Sequence, residues 1–163
     1  MNLKVLILDL DSTLTDGIYQ VSHTGEIAKN FYTRDFAALE RLAKKDVDIY
    51  ILTGSSDRCI DYKISGFYLD FLEKISISKN VEDKFAIVSR IIKDCNMKKN
   101  EIAYMGDSIT DLKCIEDIYL SGCPADAEKI ILKSALFVSD KNGGHGAVED
   151  FVEFLIGREE CQN

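Results

Sequence analysis

The segment LKVLILDLDSTLTDG, Leu3 to Gly17, decides how the rest of the chain is read. Val5 to Leu8 form an unbroken apolar run that stops at Asp9, and a second acid, Asp11, follows two positions later. An apolar run without alternation reads as a strand buried on both faces, the kind a parallel sheet contains. Ligands of open α/β sheets bind beyond the carboxyl ends of the strands, so this strand delivers two carboxylates to the place where such folds do chemistry. Residues two apart on an extended chain face the same way, so Asp9 and Asp11 address one site if the chain stays extended. Two acids that close repel each other and resist desolvation. A divalent cation relieves both problems, and hard oxygen ligands select magnesium or calcium. The plainer reading is a strand end followed by a turn.

At 163 residues the chain reads as one domain, 1–163, with a hairpin inserted at 18–31 and a loose tail at 157–163. Its 46% apolar content is enough for a sizeable core. A formal net charge of -8, with lysines and arginines scattered rather than clustered, argues against a nucleic-acid partner held through phosphates. Five cysteines without a CxxC spacing make a poor disulfide framework, and two histidines argue against a zinc site. A reduced cytoplasmic setting is the expectation. The first residues carry a strand and acids rather than a signal peptide, and no apolar run approaches the roughly 18 residues of a membrane span.

Beyond the acid loop, Ile18 to Phe31 predicts a β-hairpin turning at His23-Thr24-Gly25, with His23 at the surface. An isolated hairpin is marginal in water, so it is expected to pack on the body or on another subunit. Phe36, Leu39, Leu42 and Ala43 share one face of an amphipathic helix, and Ile49 to Leu52 form a second buried strand ending in Thr53-Gly54. Small hydroxyl and glycine residues between a strand and a helix make an anion site; that helix is expected at Arg58 to Ser65. A short strand is expected at Phe67 to Phe71, with Ile75 to Ser78 near it, and a helix at Val81 to Asp94 with Lys84 in its first turn. A lysine there opposes the helix dipole, which asks what anion it serves. The next strand, Glu101 to Met105, ends in GDSITD, residues 106–111. Helices at 112–118 and 127–134, strands at 119–122 and 135–138, a flexible loop at Asn142 to Gly146 and a helix at Ala147 to Ile156 follow. Strands alternating with helices mean a Rossmann-like parallel α/β sheet flanked by helices.

Four polar stations thus gather at one sheet edge: Asp9 with Asp11, Thr53 with Gly54, Lys84, and Asp107 with Asp111. A nucleophilic carboxylate, a metal site, a hydroxyl and an ammonium suit phosphoryl transfer, which depends on positioning and charge neutralisation. The combination DLDSTLTDG, Thr-Gly after a strand, Lys84 and GDSITD resembles the haloacid dehalogenase superfamily of phosphatases. With the hairpin in place of a large cap, FYTRD and GGHGAVEDFVEFL, nearly the whole chain is similar to one of its subfamilies. That subfamily is the small tetrameric phosphatases of 3-deoxy-D-manno-octulosonate 8-phosphate, related to those of nonulosonate (sialic acid type) 9-phosphates.

The resemblance implies that Asp9 is the nucleophile and Asp11 the general acid and base. It implies magnesium held by Asp9, the Asp11 carbonyl and Asp107, with Thr53, Gly54 and Lys84 on the phosphate and Asp111 orienting Lys84 or a metal-bound water. It implies a small phosphorylated sugar acid as substrate and a homotetramer in which a neighbour covers the site. Arg34 has two readings, donor to the substrate's carboxylate or partner of Asp35; the His145 loop likewise closes a neighbour's site or is a mobile turn. The chain departs from the family at Ser12 (commonly Gly), Ser55 (usually Arg), Phe36 (usually Gly) and His145 (commonly Arg), which leaves hydrolysis intact and the sugar open. Two other classes fit less well. A non-catalytic oligomerisation module has no use for the retained acids. A phosphate-accepting receiver domain carries its acceptor on a middle strand, not the first.

Overall fold

The computed structural model describes residues 2–25, 27–67 and 69–160, the backbone alone at 69–70 and 159–160. Glu26 of the hairpin's second arm, Tyr68 of the expected strand at 67–71, and residues 161–163 of the expected tail lie outside the described residues.

The opening apolar run becomes strand β1, Val5–Asp9, buried at every position. Strands β2 (Thr15–Val21) and β3 (Ile27–Phe31) form the separate antiparallel hairpin. Its first arm starts before Ile18 because Thr15 already pairs with Phe31. Helix α1 (Thr33–Ala43), strand β4 (Asp48–Leu52), and the short helices α2 (Cys59–Ile64) and α3 (Leu69–Leu72) follow. Then come strand β5 (Ile75–Ser78), helix α4 (Lys84–Asp94), strand β6 (Ile102–Met105), helix α5 (Leu112–Asp117) and strand β7 (Leu120–Cys123). Helix α6 (Lys129–Ser134), strand β8 (Phe137–Val138) and helix α7 (Ala147–Glu160) close the chain. The six-stranded sheet runs β5-β4-β1-β6-β7-β8, every neighbouring pair parallel.

Side-chain alternation along β1 splits the core in two. Leu6 and Leu8 pack with Phe36, Leu39 and Leu42 of α1 and Val148, Phe151 and Val152 of α7. Val5 and Ile7 pack on the opposite face with Val88 and Ile91 of α4, Ile115 of α5 and Ile131 of α6. The chain winds outward from β1 through β4 to β5, then returns to lay β6 on the other side of β1. Its winding sense therefore reverses at β1, where sheets of this kind bind ligands.

Four expectations are corrected. Residues 69–72 are helical rather than a strand; Phe67, in the bend before this helix, meets Phe71 edge-to-face at 5.1 Å and stacks on Phe36 at 5.5 Å. Helix α2 falls where it is expected, with Arg58 as its N-cap, but its first residue, Cys59, is five past Gly54, so the Thr53-Gly54 station is not itself a helix start. The Asn142 to Gly146 loop is packed, not free: the Gly144 N–H donates to the Thr13 carbonyl at 3.0 Å, and a Cβ on Gly143 would lie 1.9 Å from the Ser12 carbonyl oxygen. Residues 157–160, expected loose, continue α7. Among the described residues no helix is long and apolar enough to cross a membrane.

Candidate active site

Strand register sets the site. Asp9 pairs with Leu52 and Leu8 with Met105, so Thr53 on one side and Asp107 on the other each lie one residue past the level of Asp9. Lys84 arrives from the first turn of α4, whose start is fixed by the Asp83 carboxylate accepting the Ala86 N–H at 3.0 Å. That cap explains why the helix opens at Lys84 rather than Val81. A cavity of about 310 Å³ lies at this edge, lined by Asp9, Asp11, Thr53, Gly54, Lys84 and Asp107, with Ser12, Ser55, Glu82, Ser108 and Thr110 around them.

Lys84 is buried, and its Nζ donates to Asp9 Oδ1 at 2.6 Å and to Asp111 Oδ1 at 2.8 Å. Asp111 is fully enclosed. Its Oδ1 also accepts the Tyr104 hydroxyl at 2.5 Å, and its Oδ2 accepts the Ser108 N–H and hydroxyl, each at 3.1 Å. A Cβ on Gly106 would sit 2.4 Å from Asp111 Cγ, so only glycine lets the two approach. Carboxylate oxygens of Asp9, Asp107 and Asp111 lie within 4.8 Å of one another. With Asp111 committed to Lys84, Tyr104 and Ser108, the carboxylates with capacity left for a cation are Asp9 and Asp107.

Burial pushes Asp9 well above the usual carboxylate range, with Asp111 and Asp107 pushing the same way against Lys84. Burial likewise lifts Asp107 to about 6, with Asp111 adding and Asp9 opposing. Burial disfavours the Lys84 ammonium, but Asp9 and Asp111 outweigh it and the net shift is upward. A pocket holding this much carboxylate against one ammonium favours a divalent cation, and its all-oxygen donors fit a hard one.

Asp11 faces the same pocket. Its Oδ1 accepts Lys29 Nζ at 2.7 Å and its Oδ2 the Thr53 hydroxyl at 3.3 Å. Ser12 adopts φ 61, so serine supports a left-handed turn here. The structure thus gathers Asp9, Asp11, Thr53, Gly54, Lys84, Asp107 and Asp111. It does not bring Arg34 to the pocket. That side chain is 66% exposed on the first turn of α1, with Nη1 3.9 Å from Glu149 Oε2. Asp35 is not its ion-pair partner either. It is buried and accepts the Glu149 N–H at 2.8 Å, at the start of α7, and burial lifts its carboxyl to about 6.

Tyr104, Gly106, Ser108, Lys29 and Asp57 escaped the sequence reading. Ser108 lay inside a quoted motif. Gly106 opens the same motif; Tyr104, Lys29 and Asp57 sit in strands and a loop with no local pattern to mark them.

A profile of the haloacid dehalogenase-like hydrolases matches residues 12–120. The chain belongs to this family. It is 29% identical over 160 residues to the 3-deoxy-D-manno-octulosonate 8-phosphate phosphatase of Escherichia coli strain K12, covering 95% of this chain and 80% of that one. The crystal structure of the phosphatase of the same description from Yersinia pestis superposes with a TM-score of 0.89 at 25% identity, covering 98% of this chain and 83% of that one. The one from Moraxella catarrhalis, in complex with magnesium ion, phosphate ion and KDO, superposes with a TM-score of 0.87 at 24% identity, covering 96% and 87%.

Proposed function

We propose that this protein is a magnesium-dependent phosphatase that hydrolyses a phosphorylated acidic sugar, of the 3-deoxy-D-manno-octulosonate 8-phosphate type, through an aspartyl-phosphate. The observation that carries the reading is Lys84, buried between Asp9 and Asp111 at 2.6 and 2.8 Å, with Asp107 beside Asp9 and Asp11 facing the same cavity. The Escherichia coli relative, a phosphatase by name, supports the reaction class.

Asp9 and Asp107, with the Asp11 carbonyl, would hold the metal, which supplies charge neutralisation for the phosphoryl oxygens. An Asp9 carboxylate oxygen attacks phosphorus, and the ester P–O bond breaks. The bond pair goes to the leaving alkoxide, which takes the Asp11 carboxyl proton. Asp11, now a carboxylate, takes a proton from the water that attacks the aspartyl-phosphate. The Asp9–phosphorus bond breaks and inorganic phosphate leaves. Thr53 and the Gly54 N–H position phosphate oxygens, Lys84 offsets their charge, and Asp111 holds Lys84.

Among the described residues lining the cavity, Lys84 is the only cation, and two carboxylates already claim it. A sugar carboxylate therefore needs a cation from a neighbouring subunit. The hairpin leaves Ile18, Tyr19, Val21 and Ile27 exposed, an apolar face suited to bury against further copies in a homotetramer. The described cysteines are free thiols, which suits the cytoplasm.

Phosphate release from a panel of sugar phosphates, with and without magnesium, tests the reading. The 8-phosphate of an octulosonate is expected to lead, with Asp9→Asn inactive. Leadership by a nonulosonate 9-phosphate moves the substrate to that class, and equal rates on neutral sugar phosphates remove the acidic-sugar assignment. Release that survives Asp9→Asn refutes the nucleophile. No release from any ester leaves the non-catalytic oligomerisation module.

A further inference from the structure

Lys29 stands on β3, on a hairpin that is otherwise largely exposed, yet its side chain is only 3% exposed. An ammonium is costly to take out of water unless it is paired, and a lysine on such a strand has an easy route to solvent. Here it turns inward. Its Nζ lies 2.7 Å from Asp11 Oδ1 and 2.6 Å from Asp57 Oδ2. Asp57 is fixed in turn by the Ser55 hydroxyl and by the Cys59 N–H at 2.9 Å. Burial works against the Asp57 charge, but Lys29 and Ser55 hold its carboxyl well below the usual range. A strut that merely anchored the hairpin would need only Asp57. The second carboxylate, Asp11, lines the cavity.

We propose that Lys29 is a positioning residue for Asp11, clamping Oδ1 so that Oδ2, on the Thr53 side, is the oxygen that gives a proton to the leaving group and takes one from water. Asp57 acts through Lys29, holding the ammonium at the end of a three-residue relay: Asp57, Lys29, Asp11. The hairpin is thereby wired to proton transfer in its own subunit, whatever it does between subunits. This rests on the phosphatase reading above.

The test uses the full chain with magnesium and two esters. One is p-nitrophenyl phosphate, whose leaving group departs without a proton; the other is the best alkyl sugar phosphate of the panel. In single turnover, which reads only formation of the aspartyl-phosphate, Lys29→Met is expected to slow leaving-group release from the alkyl ester by about 100-fold or more, the scale of positioned acid–base catalysis, and from the aryl ester far less; the later attack of water, common to both esters, slows alike. Lys29→Arg, which keeps a donor, is expected to recover most of the loss. Asp57→Asn is expected to lower the alkyl rate in the presence of Lys29 and to add nothing in the Lys29→Met background. Equal losses on both esters in that first step, or no recovery with arginine, overturn the assignment. Should Lys29→Met not fold, Asp57→Asn reads the same split between esters. A crystal structure of Lys29→Met, or of Asp57→Asn in its place, gives a criterion independent of turnover. The Asp11 carboxylate is expected to swing from its present place, and an unmoved carboxylate overturns the proposal. Wild-type protein that releases no phosphate refutes the phosphatase reading instead, and leaves the crystallographic criterion to judge Lys29.

Discussion

Replacing Lys84 by methionine keeps the bulk of the side chain and removes its charge. The ammonium is bonded to Asp9 at 2.6 Å and Asp111 at 2.8 Å, and all three side chains are at most 8% exposed. Deleting one partner of a buried ion pair costs about 3–5 kcal/mol, because the remaining charge is left uncompensated. Tyr104 and Ser108 still serve Asp111, so most of the cost falls on Asp9. In a chain of this size each kcal/mol moves the melting temperature by roughly 2–4 °C. In chelator, Lys84→Met is therefore expected to melt about 6–20 °C below wild type. Magnesium should narrow that gap, because it stabilises whatever it binds, by about 2.7 kcal/mol at a hundred times its dissociation constant. The variant's unbalanced carboxylates give the ion more to neutralise. Acid should narrow it too, since protonated Asp9 and Asp107 no longer miss the lysine. Calorimetric melts of both proteins, in chelator and in saturating magnesium, check this. A loss below about 3 °C in chelator, or a gap that magnesium leaves unchanged, would refute the view that Lys84 is what lets these acids coexist.

Three other outcomes are expected. Burial lifts Asp107 and Asp35 to about 6, so the folded chain holds protons that the unfolded chain has released. The stability they contribute is complete below about pH 4 and is lost as pH rises through about 6. Urea midpoints in chelator should fall across that window, and Asp35→Asn should flatten part of the slope; midpoints that rise would contradict the assignment. Gly143→Ala places a methyl 1.9 Å from the Ser12 carbonyl; it should cost about 1–3 kcal/mol as overpacking and lower activity by moving the loop that carries Asp11, read by thermal melts and phosphate release. Ile18→Asp with Val21→Asp removes apolar exposure from the hairpin and leaves Lys29 in place. Light scattering should then show a smaller assembly, and an unchanged mass would exclude this face from subunit contacts.

Much of the fold follows from local pattern. Val5 to Leu8 reads as a doubly buried strand because no polar residue interrupts it, and the structure puts it at the centre of the sheet. Glycine and aspartate after the strand at 102–105 mark the second acidic station for the same reason. The segment at 67–71 misled because its aromatic run suits either a strand or a helix. In the structure Phe67 and Phe71 join a cluster with Phe36, far off in sequence.

The types and order of the groups at the sheet edge, Asp9, Asp11, Thr53, Lys84, Asp107 and Asp111, were determined by the sequence alone, since strand ends are local events and parallel strands share one carboxyl edge. Which side chains touch was decided by the tertiary structure. Arg34 looked like a site residue and lies outside the cavity, while Lys29 looked like an ordinary hairpin residue and lies against Asp11. The reason is burial: the preferred partner of a charge depends on how much water remains around it, and that depends on every element packed nearby.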